Sequence, residues 1–454
     1  MKWLRREEWR ESFESLLKLH ISGACDQVDI ETDDLVSLIG VDLFTGIWGC
    51  VFEDFLTRED QAGQNIVDDY LKRRGWKENA VDRAYMAALR ISAMSLYEVS
   101  EVVPGESFLA RDLVRGGDPV LVRERTATQQ MKSWDRIAGR VVTVASRNVM
   151  GGGVLPFDRE PSETVLKRVM RALEKGRKEA TKQVQKHGQA TVGLPTDTGL
   201  LRSLAPTFTE VWLGDVIERV LNPQRPEVRN SEDDELVFTT VHYALVPGAT
   251  TDVIRTALRK LPALREENDS FWNWIDQKTP SLFRRPPGSR PGRRFVTTME
   301  DGSLVLGNIE IKEKALSLSV NSRERAERGQ ALLAPVLAGL VRTPLVETQT
   351  IEQVMASRPR VHKAPSSPLS PEEERALIHP NLDRYYRNLL DETVPMLGNI
   401  TPRRAAKTIK GREKLVVWLK YMENQAANQQ AGTPMADYDF SWIWDELGIA
   451  DLRR

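Results

Sequence analysis

The chain has 454 residues, 41% hydrophobic and 28% charged, the composition of a folded globular protein and too long for one ordinary core. Its 64 basic and 65 acidic residues leave a net charge of −1, so no global field draws nucleic acid or an anionic membrane, and any such affinity has to come from a local patch. No apolar run of 18 residues occurs, and the N-terminus MKWLRREEWRESFESLLKLH is charged throughout, which argues against a transmembrane helix or secretory signal and makes a cytoplasmic protein the expectation.

Residues 1–100 read as a helical domain. One helix is expected from Thr32, where ETDDLVSLIGVDLFTGIWGCVFEDFL starts with acids and then places Leu35, Leu38, Ile39, Val41, Leu43 and Phe44 at helical intervals. NIVDDYLKRRGW follows, stopped at Gly75 behind three basic residues, and a further helix is expected near Ala80 to Tyr97. Residues 101–160 then read as a small antiparallel β module or partly open barrel, with DLVRGGDPVLVRER as a hairpin turning at Gly116 and Gly117 and RVVTVASRNVMGGGVLPF as two further strands.

Residues 161–230 read as a helical connection, opened by Ser162 and carrying Val165, Leu166, Val169 and Leu173 as an apolar stripe, with a second helix near Leu213 to Leu221. In 231–355 the order is strand, helix, three strands, helix. LVFTTVHYALV is the first strand, Thr250 or Thr251 caps the helix TTDVIRTALRKL, and a three-strand meander from Arg293 turns at Asp301-Gly302 before Asn321 or Ser322 caps the last helix. This describes an α+β sandwich with helices over one sheet face. Residues 356–375 form a Pro/Ser-rich linker, and 376–454 a helical interaction module. The fold class is therefore multidomain α+β.

The search for chemistry is largely negative. Cys25 and Cys50 cannot build a cysteine-rich zinc site and read as core thiols; five scattered histidines give no HExxH or CxxC spacing. Gly151, Gly152 and Gly153 lack the GxxxxGK[ST] context of a P-loop and read as a strand turn. The acids at Asp26 to Asp34, Glu53-Asp54 and Asp68-Asp69 read as helix starts and solvated faces, since helical neighbours point apart. His242 sits in a strand and reads as packed. No catalytic residue, cofactor or metal is expected, and an enzyme with an unrecognised carboxylate site is the weakest of three readings. FRRPPGSRPGRRF supplies Arg284, Arg285, Arg290, Arg293 and Arg294 between two phenylalanines, a combination able to grip phosphates and stack on unpaired bases. That makes a nucleic-acid-associated regulator the second reading.

The most informative stretch is LLDETVPMLGNITPRRAAKTIKGREKLVVWLKYME. Pro395 to Asn399 make a tight turn, Thr401 caps a helix with Pro402 at its first position, Gly411 allows a second turn, and the last helix gathers Leu415, Leu419 and Met422 beside Trp418. The outcome is a three-helix module. These residues resemble the C-terminal toxin-binding segment of the MbcA/ParS/Xre antitoxins and the matching segment of uncharacterised bacterial proteins, some with SEC-C tails; LGNIEIKEKALSLSVNSRERAERG resembles a piece of the same uncharacterised proteins. The resemblance implies a bacterial protein in which residues 384–424 hold a protein partner or support self-association. Arg403, Arg404, Lys407 and Lys410, with the aromatic anchors Trp418, Trp442 and Trp444, are the contact residues to expect. Protein–protein binding is thus the leading expectation.

Overall fold

The structure, a computed structural model, describes residues 7–60, 63–187, 197–223, 228–276, 293–299, 301–312, 315–351, 353–354 and 370–453. The chain divides into two compact units, residues 1–223 with 369–454, and residues 224–368. It is a multidomain α+β protein.

In the first unit, helices α1 (Glu7–Asp26), α2 (Leu35–Ile39), α3 (Val41–Thr57), α4 (Ile66–Arg74) and α5 (Ala80–Arg90) lead into a seven-stranded sheet. Its strands are β1 (Ser95–Val103), β2 (Ser107–Asp112), β3 (Val120–Arg123), β4 (Arg136–Gly139), β5 (Val141–Val144), β6 (Arg147–Met150) and β7 (Leu155–Phe157), in the order β5-β6-β3-β2-β1-β4-β7. Every pairing is antiparallel except β3 with β6. The helix expected over 80–97 stops at Arg90, and Leu96 and Tyr97 belong to β1. The first six residues of β1 are all buried, because the central strand is covered on both faces, and a strand so covered shows no alternation in its sequence. The helix expected from Thr32 is two helices interrupted at Gly40. GGGVLPF and its neighbours give three strands in place of two.

Helices α6 (Arg159–His187), α7 (Asp197–Ser203) and α8 (Ala205–Leu221) pack back onto the first helices: Val165, Val169, Leu173, Phe208 and Trp212 share one core with Phe13, Phe55 and Leu96.

The second unit is a six-stranded antiparallel sheet with helices on it. Strands β8 (Val228–Asn230), β9 (Val237–Ala244), β10 (Leu264–Asn268), β11 (Phe271–Ile275), β12 (Arg293–Phe295), β13 (Val305–Lys312), β14 (Ala315–Val320) and β15 (Leu345–Thr350) alternate with α9 (Thr251–Leu258) and α10 (Arg323–Leu337). The sheet order is β10-β11-β13-β14-β9-β15, and β12 pairs separately, in parallel, with β8. Of the expected meander, the β13–β14 hairpin forms within the sheet, and the turn at Asp301-Gly302 is closed by an isolated antiparallel bridge, Thr298↔Leu304; Trp272 and Trp274 supply the strand beside β13. Thr250 and Ser322 are the caps, accepting from Val253 N–H and Arg325 N–H.

The chain then returns to the first unit with α11 (Pro371–Leu389), α12 (Pro402–Ala405), α13 (Ile409–Ala427) and α14 (Ser441–Glu446). Thr401 caps α12 through Arg404 N–H, and Thr408 caps α13 through Gly411 N–H. Gly411 thus lies inside α13 and makes no turn. A Cβ there would stand 2.1 Å from the Ala405 carbonyl oxygen, so the bare backbone is what lets α12 and α13 meet. No helix among the described residues is long and apolar enough to cross a membrane. Gly411→Ala is expected to lower unfolding stability by about 1–3 kcal/mol, the usual range for forced overpacking, read by denaturant unfolding of the full chain.

Candidate functional site

The site begins with two adjacent acids on α3 that the sequence placed on a solvated face. Glu53 is 5% exposed and Asp54 is fully buried. Asp54 is surrounded by donors: Arg140 Nη2 lies 3.0 Å from Oδ1, and Arg58 Nε and His20 Nε2 lie 2.7 and 3.2 Å from Oδ2. The other His20 ring nitrogen is 2.9 Å from Thr209 Oγ1. One carboxylate therefore gathers α1, α3, α8 and the β4–β5 connection. Burial works to raise its pKa, but the His20 hydrogen bond and the charges of Arg140 and Arg58 outweigh it and hold the carboxyl below the ordinary range.

Glu53 has the opposite balance. Its Oε1 accepts from Gly153 N–H at 3.2 Å, while Oε2 lies 3.9 Å from Arg140 Nε and has no hydrogen-bond partner in the protein. Burial pushes this carboxyl up, and the charge of Arg140 and the Gly152 and Gly153 amides only partly offset the effect. The three glycines are there for space. A Cβ on Gly151 would stand 2.6 Å from Glu53 Oε1, and one on Gly153 would stand 2.6 Å from Cys50 N. Cys25 and Cys50 are buried free thiols, both pushed up mainly by burial, which keeps them in the unreactive protonated form.

Beside Glu53 is a cavity of about 620 Å³. Trp48, Phe52 and Leu56 of α3, Ile66 and Val67 of α4, and Tyr85 and Met86 of α5 line it, together with Gly152 and Gly153. Trp48 and Phe52 stack, with ring centroids 5.2 Å apart and planes 10° from parallel. Burial, and secondarily the Glu53 charge, raise the Tyr85 phenol, so it remains a neutral hydroxyl. The arrangement offers a volume of ligand size, apolar walls and one carboxyl that burial shifts toward its neutral form. Among the described residues, no group of three or more His, Cys, Asp or Glu could hold a metal ion.

The residues chosen from sequence lie elsewhere. Trp418 and Trp444 are buried in the core formed by α11 to α14, and Trp442 is half-buried, its indole N–H donating to Tyr438 Oη at 3.0 Å under the Arg387 guanidinium. Arg403 is tied to Asp391 and Glu446; Arg404, Lys407 and Lys410 are exposed. Arg284, Arg285 and Arg290 lie outside the described residues, and Arg293 and Arg294 lie on β12. His242, read as packed, is 47% exposed, 3.7 Å from Glu347.

The C-terminal helices are also fastened to the sheet of their own unit. Glu423 accepts from the indoles of Trp134, at 2.6 Å, and Trp444. Lys420 pairs with Glu98, and Asn424 donates to Ser133 O and Asp135 Oδ1 at 2.9 and 2.8 Å. A cleft of about 910 Å³ runs beside this contact, but its acids Glu98, Asp135 and Asp158 are already met by Lys420, Asn424 and Arg219. Glu53 Oε2 has only the more distant Arg140 charge and no hydrogen bond, which makes its cavity the stronger candidate.

The model of a family of unknown function (DUF7986) matches residues 50–190, a span that contains Glu53, Asp54, Arg140 and the three glycines. Two curated relatives, the ubiquinone biosynthesis proteins COQ4, mitochondrial, of Paracoccidioides brasiliensis (strain Pb18) and Paracoccidioides lutzii (strain ATCC MYA-826 / Pb01), are each 28% identical over 141 residues. The match covers 30% of this chain and 46% of theirs, so it spans less than half of the relatives' length. No solved structure matches.

Asp54→Asn is expected to lower stability by about 3–5 kcal/mol, because it leaves the buried Arg140 without its counter-charge. For Glu53 the sign reverses. A carboxyl raised in the folded state contributes its stability below the unfolded pKa and loses it as pH rises through the folded value. Denaturant unfolding across a pH series should therefore show Glu53→Gln gaining on the wild type as pH climbs above about 4.5, the ordinary glutamate value.

Proposed function

We propose that this chain is a small-molecule-binding protein whose cavity between α3, α4 and α5 takes a neutral, mainly apolar ligand. The observation that carries this reading is the combination in one place of about 620 Å³ of apolar-walled space with a buried carboxyl, Glu53, whose Oε2 has no hydrogen-bond partner in the protein. A charged ligand would lose its hydration against these walls without a full counter-charge. The stacked Trp48 and Phe52 favour a ligand with a flat portion, and a quinone is a molecule of this kind. The curated relatives are named for ubiquinone biosynthesis, so a short-tailed ubiquinone is the natural first ligand to test.

The neutral fluorophore N-phenyl-1-naphthylamine should brighten on binding the full chain, and the short-tailed ubiquinone should displace it. Met86→Trp, which fills the cavity from α5, should weaken probe binding about tenfold or more, the effect of losing roughly 1.4 kcal/mol, with the melting temperature unchanged. Equal binding by the wild type and Met86→Trp would refute the reading.

A second reading rests on the surface at the α12–α13 junction. Ile409 is 81% exposed in the first turn of α13, with Arg404, Lys407 and Lys410 exposed nearby in sequence. An apolar knob among cations suits an acidic protein partner with an apolar pocket, in keeping with the antitoxin-like pattern of the segment. A partner recovered by the full chain should be lost with Ile409→Asp and retained with Met86→Trp.

A further inference from the structure

The six-stranded sheet of the second unit ends in two edges of opposite character. At one edge, β10 carries Arg265, Glu266 and Glu267 within five residues and slips register between Glu266 and Asn268. Charges and a bulge are the usual means of keeping an edge from pairing with another strand. At the other edge, β15 has the sequence LVETQT, with one charge, no proline and an unbroken register against β9 from Leu345↔His242 to Thr350↔Val237. Residues 345–349 are all exposed, Leu345 at 75% and Val346 at 52%.

Which backbone groups this edge presents follows from the register. Val237 N–H bonds to Asn321 O on the β14 side of β9, while Val246 N–H and Ala244 O bond Leu340 and Arg342 on the β15 side. Odd residues of β9 thus bond toward β14 and even residues toward β15. Leu345, Glu347 and Gln349, opposite His242, Thr240 and Phe238, turn their N–H and C=O groups inward. Val346, Thr348 and Thr350 turn theirs outward. The Thr350 N–H agrees, since it is taken by the Gln353 side chain, 2.9 Å away, and not by β9.

We propose that two copies of this chain join through antiparallel pairing of their β15 strands about a two-fold axis at Thr348. The second copy is the occupant because the strand is complementary to itself in that register. Thr348 meets Thr348 of the second copy, Val346 meets Thr350, and Glu347 meets Gln349. The pairs with outward backbone groups are then all β-branched, the side chains that fit such positions best. The lone carboxylate faces an amide able to donate to it. Moving the axis one residue to Glu347 would set two carboxylates opposite each other, which disfavours that alternative. Contacts of this type are isologous, so they close at a dimer and do not propagate into a fibre. At each end of the ladder, the Val346 carbonyl of one copy takes over the Thr350 N–H that Gln353 now holds.

Sedimentation velocity on the full chain over a wide concentration range should show a reversible monomer–dimer equilibrium. Thr348→Lys and Thr348→Glu each place like charges opposite one another at the axis and should weaken the dimer about tenfold or more. An equal mixture of the two should form a heterodimer at least as readily as the wild type, with unchanged circular dichroism melts showing that both fold. A wild type that is monomeric throughout, a Lys variant that dimerises like the wild type, or a mixture that remains monomeric would each overturn the proposal.

Discussion

The first unit depends on how one buried carboxylate is satisfied. Asp54 has no access to water, and an ion in that position is tolerated only when its attractions repay its lost hydration. It meets that condition with two groups distant in sequence, His20 from α1 and Arg140 from the β4–β5 connection, and with Arg58 just past the end of its own helix. Three elements are thereby held in mutual register, and Thr209 brings in a fourth through His20. Arg140 is committed by this arrangement. Its guanidinium is 3.0 Å from Asp54 but 3.9 Å from Glu53, and that difference leaves Glu53 short of a counter-charge. Two neighbouring acids on one helix thus acquire opposite tendencies, one held ionised and the other driven toward its neutral form. The second lies beside an apolar cavity, where a neutral polar group is tolerated and an uncompensated carboxylate is not.

The glycines complete the same argument. α3 approaches the segment after β6 so closely that a side chain at Gly151 or Gly153 would occupy space held by Glu53 or by the backbone of Cys50. The carboxyl can be buried only because nothing larger than hydrogen stands there. The backbone N–H of Gly153 then supplies the hydrogen bond that a side chain could not.

The sequence made the local features legible. Caps at Thr250, Ser322 and Thr401, the apolar stripe of α6 and the multidomain α+β class follow from short-range rules on residue type and spacing, and the structure contains them. The candidate site was illegible because each of its signals looks ordinary in one dimension. Glu53 and Asp54 resemble any acidic pair on a helix until His20, 34 residues before Asp54, and Arg140, 86 after it, are seen to converge. Gly151 to Gly153 resemble a turn until α3 is placed against them. Strand β1 lacked its period because both faces are covered, and β15 lacks one because both are bare.

The C-terminal module shows the same difference between pattern and placement. Its tryptophans read as anchors for a partner because large amphipathic rings often serve that purpose. An indole inside a fold, however, also needs an acceptor for its N–H. Glu423 is that acceptor twice over, for Trp444 from its own module and for Trp134 from the turn before β4, with Arg453 adding a charge at 3.3 Å. Trp134 takes up a left-handed backbone, φ 71°, to reach it, a conformation a bulky residue holds only where its surroundings over-determine it. Lys420, set 4.1 Å from the centroid of the same ring and paired to Glu98, engages α13 with the sheet as well. Trp418 and Trp444, which suggested a partner in the sequence, are thus taken up inside the fold, while Ile409 and the neighbouring cations face solvent.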